Sequence, residues 1–200
     1  KDPALQLQAN IMENFQTVLL PAYRSYILNK GDKQRLYIEG LRKMNPGKDY
    51  YPDANSSMRL TYGTVRPYEP MDAVAYDYYT THRGILQKKD PDDKEFHVPG
   101  KLADLLEAED FGPYDVNGEL RICFTSDNDI TGGNSGSPVL NGNGELIGVA
   151  FDGNWEAMTG DLDFNPVLQR TISVDARYVL FVIDKYAGAG HLVDEMTVVK

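Results

Sequence analysis

Between Leu120 and Phe151 the chain reads as a strand, a glycine-rich loop and a hairpin, and this run constrains the fold more than any other part of the sequence. LRICFTS is rich in strand formers. SPVL and ELIGVAF follow, joined by Asn141-Gly142-Asn143-Gly144, a composition suited to a tight hairpin turn. Between these signals lies Asn128-Asp129-Ile130-Thr131-Gly132-Gly133-Asn134-Ser135-Gly136-Ser137-Pro138. A loop anchored at both ends by strands is where a rigid scaffold presents chemistry.

The flanking segments read differently. Downstream, RTISV predicts a strand, Asp175 an N-cap for the helix ARYVLFVIDKYAG, and HLVDEM a final short helix. Upstream, Leu7, Ile11, Phe15, Val18 and Leu19 recur at helical spacing, and Pro21 predicts a kink or break. Asp32 then reads as the cap of a second helix that passes Leu36 and Leu41 and closes near Asn45-Pro46-Gly47. After GKDYYPDANSS the composition turns to tyrosine, threonine and valine. RLTYGTVRPY reads as a strand, and residues 76–87 and KLADLLEAED as helices. A boundary near Asp53 would divide trailing helices of a helical domain (1–52) from a second domain (53–200).

At 200 residues and 42% hydrophobic the chain can bury a core of its own. Its formal charge of −10 repels phosphates and anionic lipid, which argues against nucleic-acid and membrane-surface partners. No apolar run reaches the roughly 20 residues that span a bilayer. The single cysteine, Cys123, excludes an intrachain disulfide and a multi-cysteine metal site. It suits either a reducing compartment or a cysteine-poor exported protein. The opening KDPALQLQ lacks both a Met and a signal-peptide stretch, so a piece of a longer chain is expected, with any targeting segment upstream.

A serine that attacks a carbonyl needs an exposed Oγ, a base to take its proton, and backbone N–H groups converging on the oxyanion. Ser135 preceded by Gly133 suits these demands, the N–H groups of Gly133 and Ser135 forming the hole. The same composition also describes an ordinary Gly/Ser/Asn turn. A calcium loop starting at Asp127 fails, because its twelfth position is Pro138 where a Glu is required. A hydrolase nucleophile elbow fails because Ser137 stands where its second glycine belongs. No cofactor or metal is expected.

The string GNSGSPV followed by a hairpin resembles the GDSGGP segment of trypsin-like peptidases. The longer run NDITGGNSGSPVLNGNGELIGVAFDGNWEAMTGD, with QRTISVDARYVLFVIDKY and HLVDEM behind it, resembles the bacterial dipeptidyl-peptidase VII and dipeptidyl-peptidase XI family of serine exopeptidases. The resemblance implies an α+β fold: a chymotrypsin-like β-barrel half with flanking helices, preceded by the end of an inserted helical domain. It implies release of dipeptides from free peptide N-termini, with Ser135 as nucleophile and Gly133 and Ser135 as oxyanion donors. Asp152 matches the family's anchor for the substrate amine, an ammonium at neutral pH for which a carboxylate is a charge-assisted partner. Gly153 matches the position where an arginine accompanies acidic P1 side chains, so glycine implies an apolar or aromatic P1 residue, with Asn154 and Trp155 as candidate pocket walls. Homodimerisation and a periplasmic or cell-surface location of the longer protein are further implications.

His82, His97 and His191 are the histidines available, and none matches the family pattern for the general base. In the family the base and its orienting aspartate come from the N-terminal barrel half. That half of the same protein is therefore the expected partner, and the chain alone is expected to be inactive. The alternative is a non-catalytic peptide-binding or assembly module, for which the apolar helix bearing Val179, Val182 and Ile183 would supply an interface.

Overall fold

A computed structural model describes residues 2–48, 50, 56–161 and 163–199. They divide into two compact units, Lys1–Arg59 and Leu60–Lys200. The boundary expected at Asp53 lies outside the described residues. Among the described residues, no helix is long and apolar enough to cross a membrane.

The first unit is helical. α1 (Pro3–Asn14) opens on Asp2, whose side chain accepts from the Ala4 N–H, and passes through a π-helical turn (Phe15–Leu19) into α2 (Leu20–Met44). Two expectations are corrected here. Pro21 does not break the helix: it occupies the first turn of α2, directly after the wider turn, where its missing N–H and its ring are accommodated. Asp32 caps nothing, because the helix runs through it to Met44. The stripe predicted by spacing is present but exposed, with Leu7, Ile11 and Val18 each more than half accessible.

The second unit is built on antiparallel sheets flanked by helices, an α+β arrangement. β1 (Tyr68–Met71) and β2 (Val74–Tyr76) form a hairpin. β3 (Tyr79–Thr81), β4 (Arg121–Ser126), β5 (Pro138–Leu140), β6 (Leu146–Gly153) and β7 (Thr171–Asp175) form one sheet in the order β3-β4-β7-β6-β5. This sheet is open, with β3 and β5 at its edges, so the expected barrel half is not a closed barrel here. α3 (His82–Lys88) packs on its edge strand β3, α4 (Gly100–Glu107) on α3 and α5 (Ala176–Phe181) on its central strands, and α6 (Gly190–Asp194) follows a π-helical turn after α5. Leu106, Phe111, Tyr114, Leu120 and Phe181 make the core, with Ile85, Leu102, Ile122 and Val182 packed on it.

Local chemistry explains where the sequence misleads. The strand expected over 59–68 shrinks to one bridge, Val65 opposite Ser126, because the Asp127 carboxylate takes the Thr64 N–H at 2.6 Å and Pro67 has no N–H to give. The helix expected over 76–87 forms only from His82. Before it, the tyrosine- and threonine-rich run pairs as strands, with the Tyr68 and Tyr76 rings 5.2 Å apart across the hairpin. Asp175 caps α5 as expected, accepting the Arg177 N–H at 2.9 Å while gripping the Arg177 guanidinium at 2.8 and 2.6 Å.

Candidate active site

The loop between β4 and β5 is pinned at its start. Thr171, buried on β7, donates its hydroxyl to the Asn128 carbonyl at 2.8 Å, and Ser126 donates to Asn128 Oδ1 at 2.6 Å. Its end is clipped onto β6: Gly136 N–H reaches the Ala150 carbonyl at 2.8 Å and Ala150 N–H the Ser137 carbonyl at 3.0 Å. Between these anchors Gly133 has φ +95° and Gly136 φ +86°, left-handed backbone that costs glycine little.

Ser135 is exposed on this loop, and its Oγ donates to the Phe151 carbonyl at 3.3 Å. Among the described residues, the N–H groups of Gly133 and Ser135 donate to no intramolecular acceptor. Two free backbone donors around an exposed hydroxyl are what an oxyanion hole requires.

β6 carries the other two residues singled out from sequence. Its pairing with β7 shifts between Ala150 and Asp152, so Phe151 is an extra residue and the alternation of buried and exposed positions breaks there. Asp152 is exposed. One carboxylate oxygen, Oδ1, accepts the Gly153 N–H at 2.8 Å, and among the described residues Oδ2 makes no hydrogen bond or ion pair. Gly153 pairs with Thr171; a Cβ on it would lie 3.0 Å from Ala157 Cβ and 3.5 Å from Ile130 Cγ2.

Ile130 and Ala157 also line a shallow surface recess with Asn128, Asp129, Phe164, Gln169 and Arg170. Of the expected pocket walls, Asn154 is buried and spent on structure, exchanging bonds with the Arg170 backbone at 2.8 and 2.9 Å. Trp155 is 83% exposed.

Gln169 and Arg170 escape a reading of the sequence, where they are two polar letters ahead of a strand. Arg170 is 2% exposed, and its guanidinium donates to the carbonyls of Pro166, Gln169, Val167 and Pro67 at 2.7–3.0 Å. Arg170 thus stands beside Ile130 and Ala157 in the lining of the recess, its terminal nitrogens already engaged by backbone. Gln169 gives its Nε2 to the Asp163 carbonyl at 3.1 Å and, among the described residues, leaves Oε1 buried without a partner.

His82 is 2% exposed, packs its ring tilted against Phe111 with centroids 4.6 Å apart and accepts the Leu120 N–H at 3.4 Å, and burial holds its imidazole below the ordinary value. His97 and His191 are exposed. Among the described residues, none of the three is hydrogen-bonded to Ser135. Also among them, no cluster of three or more His, Cys, Asp or Glu side chains is arranged to hold a metal ion.

The chain is similar to known proteins along nearly its whole length. Residues 1–198 match the Peptidase S46 family. The chain is 51% identical over its whole length to a dipeptidyl-peptidase 7 of Porphyromonas endodontalis, and 49% to one of Porphyromonas gingivalis, covering 24% and 28% of those proteins. It is 45% identical to an Asp/Glu-specific dipeptidyl-peptidase of Porphyromonas gingivalis, of which it covers 28%. The crystal structure of Porphyromonas endodontalis DPP11 in complex with substrate matches 98% of the chain with a TM-score of 0.85 at 39% identity, and 28% of that structure is covered. The chain thus spans about a quarter of the length of these relatives. With that match over nearly every residue, the chain belongs to the peptidase S46 family.

Proposed function

We propose that the chain is the nucleophile-bearing part of a serine dipeptidyl-peptidase with a chymotrypsin-like catalytic domain. Residues 53–200 are the C-terminal part of that domain, and 1–52 the end of a helical domain. The observation that carries the reading is the exposed Ser135 hydroxyl with the two unengaged N–H groups of Gly133 and Ser135 beside it.

In the proposed reaction a histidine from the upstream part of the longer protein takes the Ser135 proton as Oγ attacks the substrate carbonyl. The oxyanion is received by the two N–H groups. The histidine then returns the proton to the leaving amine, and water hydrolyses the acyl-enzyme to release a dipeptide. Asp152 anchors the substrate ammonium through its free oxygen and thereby counts residues: cleavage falls after the second. A P1 side chain lies against the shallow recess beside Gly153. Ile130, Ala157 and Phe164 favour an apolar or aromatic group there, since the Arg170 terminal nitrogens are committed to carbonyls.

Because no histidine of this chain bonds Ser135, the 200 residues alone are expected to turn over no substrate. Dipeptide release from a chromogenic substrate should be seen with the longer protein and not with residues 1–200. Ser135-dependent turnover by the short chain would refute the missing base, and a folded longer protein without turnover would favour a peptide-binding module instead.

A further inference from the structure

The Ser135 loop is closed on itself by one side chain. Asn134 Oδ1 accepts the Thr131 N–H at 3.0 Å, and the Asn134 N–H donates back to the Thr131 carbonyl at 3.1 Å. These two bonds make a ring across Thr131-Gly132-Gly133-Asn134, inside which Gly133 holds its left-handed conformation. Thr131 is braced from outside as well, its hydroxyl donating to Asp161 Oδ1 at 2.8 Å. On the far side of the serine, the Asn134 carbonyl accepts the Ser137 N–H at 2.9 Å. Asn134 thus fixes the loop both before and after Ser135. The donors left unspent are those of its two sequence neighbours, Gly133 and Ser135.

We propose that Asn134 is the positioning residue of the oxyanion hole: its side-chain acceptor holds Thr131, and through it keeps the Gly133 and Ser135 N–H groups set before substrate arrives. The inference rests on the reading of Ser135 as nucleophile. An amide suits the role better than a carboxylate. Asp161 already places one negative charge on Thr131, and a second, at position 134, would flank the point where the oxyanion develops.

The test is made on the longer, active protein, with Ser135→Ala in parallel. Asn134→Ala should lower kcat about 10²-fold, the scale of one lost oxyanion donor, with KM and the affinity for a product dipeptide within about twofold of the parent. Asn134→Asp keeps the acceptor and should lose only about tenfold, because added charge opposes the oxyanion but the ring survives. Thr131→Val, which removes only the brace to Asp161, should lower kcat by a smaller factor at constant KM. It carries the test should Asn134→Ala fail to fold. The proposal is overturned if Asn134→Ala keeps kcat within threefold, if KM and dipeptide affinity worsen in step with kcat, or if Thr131→Val is silent. Wild-type turnover by Ser135→Ala would remove the nucleophile reading and this inference together; a dead Ser135→Ala beside a fully active Asn134→Ala would remove only the inference.

Discussion

The Ser135 hydroxyl is bonded to the carbonyl of Phe151, the one extra residue in the β6–β7 ladder. A regular ladder would engage that carbonyl with β7; the bulge offers it to the loop instead. The same irregularity leaves Phe151 and Asp152 exposed in succession and brings Gly153 opposite Thr171. One bulge therefore ties the candidate nucleophile, amine anchor and pocket-floor glycine to a single strand.

From the free Oδ2 of Asp152 follows a prediction about substrate amines. In the longer protein, Asp152→Asn should lower kcat/KM on free-amine peptides by roughly 10²-fold, the scale of a lost charge-assisted bond, and N-acetylated peptides should be poor substrates of the parent. Equal losses on free and acetylated peptides would exclude the role.

At Gly153 the space is narrow: a side chain there would start 3.0 Å from Ala157 Cβ, with the recess beyond it. Gly153→Arg should place a cation with free donors at the recess and shift the kcat/KM ratio of Glu to Phe at P1 upward by about tenfold or more. An unchanged P1 profile would undo the pocket assignment.

Arg170 predicts a stability effect rather than a specificity effect. Its guanidinium holds four carbonyls out of water, so Arg170→Met should cost about 3 kcal/mol in urea unfolding, and Arg170→Lys should not restore it, since an ammonium lacks the planar fork. A loss below about 1 kcal/mol would show the bonds to be dispensable.

His82 makes stability depend on pH. Burial lowers its folded pKa, Arg83 adds to this, and Glu109 and Glu119 oppose it. The unfolded chain takes up a proton near pH 6.5 while the fold still refuses one, so stability is full above about pH 6.5 and falls as pH drops toward the lowered folded value. His82→Gln should flatten that part of the profile. A slope that persists in the variant would assign it to other groups.

Much of this was legible in the sequence, for identifiable reasons. The hairpin through Asn141-Gly142-Asn143-Gly144, the strands around it and the Asp175 cap formed where local chemistry points one way: Asn141 Oδ1 alone accepts from both Asn143 and Glu145. Pro21 misled because one wider turn absorbs it, and Asp32 because a capping residue also fits mid-helix when its side chain faces water. Ser135 and Gly133 were nameable as candidates from the loop, and Asp152 and Gly153 from the family resemblance. The bulge at Phe151 was not, because it arises from pairing with β7 about twenty residues on. Arg170 was hidden for a similar reason, since its acceptors are backbone carbonyls, which no side-chain pattern announces.

The most direct test of the central claim is covalent labelling of the longer protein with a fluorophosphonate, followed by peptide mass mapping. The adduct should sit on Ser135 and be absent from Ser135→Ala. A folded, substrate-hydrolysing protein left unlabelled at Ser135, or labelled on another serine, would contradict the account.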